Sequence, residues 1–285
     1  MPKLFTIIIP VHNAEEFVQS ALDSVAEQTF DDFECIIIND RSTDRSEAVI
    51  TDFIKQHPHL DIKLCQTQKG KWGPGAARNV GMERSKGRYF IFLDADDQLS
   101  DPESLENISE SISKHPNTEI LLMGFYRYWW SGKGRIVLKQ VLLPKTRHAD
   151  KHHQIGKSKD GAMWSICWRN SLFKDNDISF DENAIWEDIA PKLRLFGAAR
   201  QANIRICPHA THIYNIRPNK STCTTPTRAK MKQLTGVHRQ IGQLVDDGKI
   251  DVKYSRDIRH RLRTSPILML WMLGMGLYSR IFQLV

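Results

Sequence analysis

The chain has 285 residues and a mass of 32.9 kDa, enough for one large domain or a domain with an appendage. Its 41% hydrophobic and 26% charged residues exclude disordered, collagen-like and low-complexity classes. The net charge is +7, and ten Lys/Arg against four Asp fall between Arg228 and Arg263, a local basic face suited to a polyanion, to an anionic membrane or simply to solvent.

Five scattered cysteines (Cys35, Cys65, Cys167, Cys207 and Cys223) with no CxxC argue against a disulfide framework or zinc ribbon and fit a reducing compartment. The opening MPKLFTIIIPVHN is too short an apolar run for a signal peptide and reads as a first strand. That strand covers Lys3–Ile9, apolar on both faces, with Pro10 as its stop. Asn13 is placed as an N-cap with Glu16 in capping-box position, opening a helix through Phe17, Val18, Ala21, Leu22 and Val25. A strand over Phe33–Ile38, a helix after Asp44, a strand over Ile62–Gln66, a helix over Ala76–Arg84 and a strand over Tyr89–Leu93 follow. This βαβαβαβ order predicts a doubly wound parallel sheet.

Pro102 opens a further helix to about Lys114, and strands are expected over Glu119–Tyr126 and Arg135–Leu143. Lys145–Asp160 reads as a loop, Ile185–Phe196 as a helix, and Asn203–Cys207 and Ala210–Ile216 as two short strands. A polar loop over Lys220–Arg228 leads into helices. The last segment, residues 266–285, holds twelve uncharged residues from Ile267 to Tyr278, too few to span a bilayer. Preceded by Arg256, Arg259, Arg261 and Arg263, it suits an interfacial anchor on anionic lipid, or a helix packed on protein.

The chemistry gathers at strand ends. Pro10-Val11-His12-Asn13, Asn39-Asp40-Arg41-Ser42 and Asp94-Ala95-Asp96-Asp97 follow three parallel strands and share one sheet edge, where ligands of such sheets bind. Asp40, Asp94, Asp96 and Asp97 so close would repel one another unless a hard divalent cation, Mg²⁺ or Mn²⁺, joined them to a polyphosphate. An EF-hand fails at Leu99 and Leu105, and a dehalogenase-type phosphatase fails at Gln98. The Gly-rich entry Gly70–Asn79 lets a loop approach a ligand, with Arg78 on the helix's first turn to meet a base or phosphate. Trp164 and Trp168 suit either an acceptor sugar or the core. His148, His152 and His153 read as a solvated loop.

The stretch TIIIPVHNAEEF…FECIIINDRSTDRS…GPGAARNVGMERSKGRYFIFLDADD resembles the nucleotide-sugar half of inverting glycosyltransferases of family 2. The resemblance implies a GT-A fold, a Rossmann-like mixed sheet with a C-terminal helical extension. Residues 1–100 would bind the nucleotide sugar, 101–225 the acceptor, and 226–285 would form the basic extension. It implies that Pro10, Val11, Asn13, Asp40, Arg78, Asp94, Ala95, Asp96 and Arg217 contact the nucleotide sugar, with His12 where Tyr is usual. Asp94 would face the ribose, and Asp96, with Asp94 and His212, would ligate Mn²⁺ or Mg²⁺. Trp186-Glu187-Asp188 matches the family's ED element, making Asp188 the general base and Glu187 its helper. His212–Ser221 is similar to the closing segment, with Arg217 and Lys220 near the diphosphate.

The expected partners are a UDP-sugar and a glycan or glycolipid acceptor, with no nucleic acid. The expected place is the cytoplasm, peripheral on the inner membrane face. Two other classes stay open at this point: a nucleotidyltransferase of similar fold, and a non-catalytic basic module for membrane or nucleic acid.

Overall fold

A computed structural model describes residues 3–131, 134, 136–145, 162–184, 187–217 and 247, with only the backbone of Val137. Residues 146–160 of the expected Lys145–Asp160 loop with its three histidines, Ile185, Trp186, Lys220, Ser221, the 220–228 loop, the helical extension apart from Asp247 and the apolar 266–285 segment lie outside the described residues.

Four strands, β1 (Phe5–Val11), β2 (Phe33–Asn39), β3 (Ile62–Gln66) and β4 (Tyr89–Phe92), pair in parallel in the order β3-β2-β1-β4. Helices α1 (Val18–Ala26), α2 (Ser46–Gln56) and α3 (Gly73–Arg84) connect them. The short β5 (Gln98–Leu99) and α4 (Ser104–Ser113) lead to a long β6 (Ile120–Trp130), which turns back into β7 (Ile136–Leu142). After a 3-10 turn at Met163–Ser165 come β8 (Ile166–Arg169), α5 (Asn170–Lys174), α6 (Ile189–Ala198) and β9 (Ile204–Ile216). β8 lies antiparallel between β4 and β6, β9 runs parallel to β6, and β5 closes the far side antiparallel to β9. The sheet is therefore mixed.

The largely apolar sequences of β1, β2 and β4 follow from burial on both faces, and the buried Glu34 of β2 is met by Thr6 and Lys63. Phe5, Ile7 and Ile9 point into a layer with Leu22, Val25, Ile50, Phe53, Leu105 and Ile108 of α1, α2 and α4. Ile8, Ile36, Ile38 and Phe92 face Ala77, Val80, Phe173, Leu193 and Phe196 of α3, α5 and α6.

Several expectations shift. Pro10 does not stop β1, which pairs with β2 through Val11↔Asn39. Pro10 has no N–H to donate, and pairing with β4 does end before it, at Ile8↔Phe92. The chain after β4 is thus released into its acidic turn level with the ends of β1 and β2. Asn13 is not an N-cap: it takes φ +49°, and α1 starts only at Val18. The two short strands expected after Asn203 are one strand, β9, whose pairing with β6 shifts register around Gly124. The helix expected from Ile185 begins at Ile189.

Candidate active site

The first two turns of the rim are laced together. Asn13 Oδ1 accepts from the Thr43 amide at 2.8 Å, and the Asn13 amide donates to Ser42 Oγ at 3.1 Å. His12 Nδ1 meets the Asp40 carbonyl at 2.7 Å. Asp40 is buried and faces inward: its Oδ2 accepts from the Gly73 amide at 2.6 Å and its Oδ1 from Thr67 Oγ1 at 2.8 Å. A carboxylate on the first amide of α3 suits the positive end of that helix. Pro10, Val11, Asn13 and Asp40 therefore build one wall, with Asp40 as its internal tie.

The glycines at the start of α3 admit the chain itself. A Cβ on Gly75 would stand 2.1 Å from the Asp181 carbonyl and 2.9 Å from Glu187 Cγ. Gly73, at φ +90°, sits in the left-handed region. The close approach expected for a ligand is taken by Asp181, Ala184 and Glu187.

That approach creates the centre of the site. Arg78 is buried, with its guanidinium ion-paired to Glu187 and hydrogen-bonded to Asp94 Oδ1 at 2.9 Å. Phe92 and Phe180 lie within 5.9 and 5.5 Å of its charge. In place of an exposed diphosphate contact, Arg78 is an internal brace between the turn after β4 and the turn before α6. Glu187 is buried, and burial pushes its carboxyl up while Arg78 opposes the shift. Asp188 is half-buried at the N-cap position of α6, close enough for its charge to act on Arg78, Glu187 and the buried Lys192.

On the other side of the acidic turn, the Asp96 carbonyl accepts from Arg217 Nη1 and Asn215 Nδ2, both at 2.9 Å. Arg217 also lies 3.5 Å from Asp96 Oδ2 and sits between the rings of Phe17 and Trp130 at 4.3 and 5.4 Å. Trp130 Nε1 donates to Asn215 Oδ1 at 2.8 Å. Asp97 is buried, and its Oδ1 accepts from the Asn215 amide at 2.8 Å. Of the four acids expected at the rim, Asp40 and Asp97 are ties within the protein. Asp94 and Asp96 remain partly open, with side chains 32% and 46% exposed. Ala95 between them is buried.

Burial first, and the charge of Asp94 second, push the Asp96 carboxyl up to about 6. A cation would relieve that crowding, and two oxygen donors open to solvent suit a hard divalent ion whose other positions are filled by water and phosphate. The expected three-member shell is not assembled: among the described residues no three of His, Cys, Asp and Glu come together on one point. His212 is buried, its Nδ1 bonded to Thr211 Oγ1 at 3.1 Å, and burial drives its pKa down to about 4. Its ring stacks on Trp164, which also packs on Phe125 and Tyr214. Trp164 and the fully buried Trp168 belong to the core, so neither offers a sugar-stacking face.

Asn215, Trp130 and Phe17 were not anticipated as site residues. Asn215 lies within the segment singled out at Arg217, but neither aromatic carries a sequence signal.

The family described as "Glycosyl transferase family 2" matches residues 6–177. The chain is 26% identical over 232 residues to the uncharacterized glycosyltransferase EpsJ of Bacillus subtilis, covering 78% of this chain and 64% of that protein. It is 27% identical over 184 residues to the poly(ribitol-phosphate) beta-N-acetylglucosaminyltransferase TarS of Staphylococcus aureus, covering 62% of this chain and 30% of TarS. The chain thus spans less than two thirds of either relative. The crystal structure of S. aureus TarS 1-349 in complex with UDP-GlcNAc matches with a TM-score of 0.66 at 22% identity, over 89% of this chain and 69% of that one. The mannosyltransferase PcManGT from Pyrobaculum calidifontis, in complex with GDP-Man and Mn²⁺, matches with a TM-score of 0.64 at 14% identity, over 98% and 76%. At such identities the structural likeness shows the fold, a GT-A-type mixed α/β sheet. The sequence match covers more than half of the chain, and the protein belongs to glycosyl transferase family 2.

Proposed function

We propose that the chain is an inverting glycosyltransferase that moves a sugar from a UDP-sugar to a hydroxyl of a cell-surface glycan or glycolipid. One observation carries this reading: Arg78 bonds both Asp94 and Glu187, so the acidic turn after β4 and the Glu187-Asp188 turn face one another. Donor diphosphate and attacking hydroxyl need that juxtaposition.

In the reaction, the acceptor oxygen bonds to the anomeric carbon as its proton passes to the Asp188 carboxylate. The bond from that carbon to the diphosphate breaks, UDP departs, and the configuration inverts. Arg217 faces the departing diphosphate. Asp94 and Asp96 would hold Mn²⁺ or Mg²⁺, which when bound supplies charge neutralisation to the leaving group. Pro10, Val11 and Asn13 line the nucleotide side, and Asp40 fixes that wall. Glu187 acts through Arg78 by holding the two turns in register.

The UDP-GlcNAc in the TarS structure and the Mn²⁺ in the PcManGT structure support this donor and ion class. No helix among the described residues is long and apolar enough to cross a membrane. Work at the cytoplasmic face, with peripheral contact through residues 266–285, completes the reading.

The test is a screen of UDP-sugars with Mn²⁺, read as released UDP. We expect hydrolysis or transfer with at least one donor, lost in Asp188→Asn with UDP binding kept, and lost together with UDP binding in Asp96→Asn. Absence of UDP binding by calorimetry overturns the reading. Pyrophosphate release from UTP or CTP with a sugar phosphate would replace it with a nucleotidyltransferase.

A further inference from the structure

The large apolar side chains open to solvent among the described residues are Trp72, Ile136, Leu138, Val141 and Leu143, at 36–56% exposure. Four of these lie on β7 or just after it. Among the described residues β7 hydrogen-bonds to β6 alone, so its other edge is unpaired, and apolar side chains flank it on both faces, Leu138 on one and Val141 and Leu143 on the other. Soluble proteins usually blunt such an edge with charge or cover it.

The hairpin's charge has one sign. Residues 120–145 contain Arg127, Lys133, Arg135, Lys139 and Lys145 and no Asp or Glu. Its aromatic residues are concentrated as well: Tyr126, Tyr128, Trp129 and Trp130 are all half-buried on β6. Cross-strand register sets Tyr126 opposite Val141, Tyr128 opposite Lys139 and Trp129 opposite Leu138. Lys139 Nζ lies 4.7 Å from the Tyr128 ring centre, and Arg127 lies 5.5 Å from that of Trp129. Aliphatic tips, a Tyr/Trp belt and cations without acids form the chemistry of a lipid headgroup interface.

A second copy suits this edge poorly, because self-pairing brings cations together with no acid to meet them. A glycan suits it poorly too, because the most exposed side chains are aliphatic and no carboxylate is at hand for hydroxyls. We propose that the β6–β7 hairpin docks edge-on on an anionic phospholipid membrane, with Leu138 from one face and Val141 and Leu143 from the other entering the interfacial layer, and Arg127 and Lys139, also on opposite faces, meeting headgroups. This surface is made of residues other than 266–285. It is also tied to the site, since Trp130 bonds Asn215, which bonds the Asp96 carbonyl. Under the glycosyltransferase reading, docking would bring the donor rim to a lipid-borne acceptor, but lipid binding itself does not depend on that reading.

The test uses the full chain with vesicles of phosphatidylcholine alone, or of phosphatidylcholine and phosphatidylglycerol at about 7:3, without donor. Hydrogen exchange over residues 136–143 is expected to slow about tenfold on the anionic vesicles and not on the neutral ones. Partitioning should fall about tenfold or more in Leu138→Ser/Val141→Ser, given the transfer energy of two aliphatic side chains. Lys139→Glu should lower it about fivefold or more. UDP release in vesicle-free solution should be unchanged in both variants, which separates lost docking from lost folding. Unchanged exchange over 136–143 on vesicles that do bind the chain overturns the proposal, since contact then lies elsewhere. Protection already present in dilute protein means the chain covers its own edge, and protection rising with protein concentration means a second copy does. Protection by a soluble polyol-phosphate polymer but not by vesicles makes the surface a polymer site. Each of these three results overturns the membrane assignment.

Discussion

Arg78 on α3 is ion-paired to Glu187, 109 positions later in the chain, and both side chains are buried. The pair joins the half of the protein that carries the acidic turn to the half that carries Asp188. Removing one partner leaves a buried charge uncompensated, which costs about 3–5 kcal/mol.

Arg78→Ala should therefore lower the melting temperature by about 10 °C at the ~2–4 °C per kcal/mol of domains this size, and abolish UDP release. The double replacement Arg78→Met/Glu187→Leu should recover most of the stability and none of the activity. Calorimetric melts beside a UDP-release assay check both. Equal melting of Arg78→Ala and the parent would remove the brace from the account.

Asp96 links pH to stability. Its carboxyl is raised from 3.8 to about 6 in the folded protein, so between those values the folded state holds a proton that the unfolded chain has lost. The penalty of the ionised group is absent below pH 3.8, grows through the window and is complete above about 6. Asp96→Asn should stabilise the protein at pH 7.5 by about 1 kcal/mol, a figure reduced for solvent screening of this half-exposed side chain. The gain should vanish near pH 4. Mn²⁺ at pH 7.5 should raise the melting temperature of the parent and not of the variant. Melts across pH with and without Mn²⁺ decide this, and a variant less stable than the parent at pH 7.5 would count against the crowding.

Gly75→Ala places a methyl group against the Asp181 carbonyl and Glu187. Backbone cannot yield as a flexible side chain does, so Asp181 and Glu187 must move, at about 1–3 kcal/mol. We expect transfer to fall further than UDP binding, because the displaced group is Asp188 while the β1 and β2 wall stays in place. Separate measurement of UDP affinity and turnover tests the split. A parallel loss of both would mean that α3 itself has shifted.

Asn215→Ala removes the side-chain bonds to Trp130 and the Asp96 carbonyl but keeps the backbone bond to Asp97. The expected loss is about 1–2 kcal/mol in stability, with a raised KM for donor. Trp130→Phe keeps a ring beside Arg217 and loses one hydrogen bond, so its effect should be smaller. Steady-state kinetics of the two variants give the order, and a larger effect for Trp130→Phe would contradict it.

Much of the first half was legible from pattern alone. The continuous apolar run at Lys3–Ile9 and the strand patterns at Phe33–Ile38 and Tyr89–Leu93, separated by helical spacings, read as buried parallel strands. Parallel strands deliver their C-terminal ends to one edge, which is why Asp40, Asp94 and Asp96 could be grouped before any coordinates. Pro10 misled because its missing N–H interrupts one neighbour and not the other, and pattern does not say which strand lies on which side.

What tertiary structure alone decided is how each rim acid is used. Asp40 gives its two oxygens to Gly73 and Thr67 and the buried Asp97 gives Oδ1 to Asn215, while Asp94 and Asp96 keep theirs partly in solvent. Trp164, Trp168 and His212 turned inward because β8 and β9 insert into the sheet beside β4 and β6. Residue type and period report which face of an element is apolar, since burial of that face is a local property of spacing. They do not report which side chain meets which across a hundred residues. That depends on strand order and register, which are set by the packing of all elements at once.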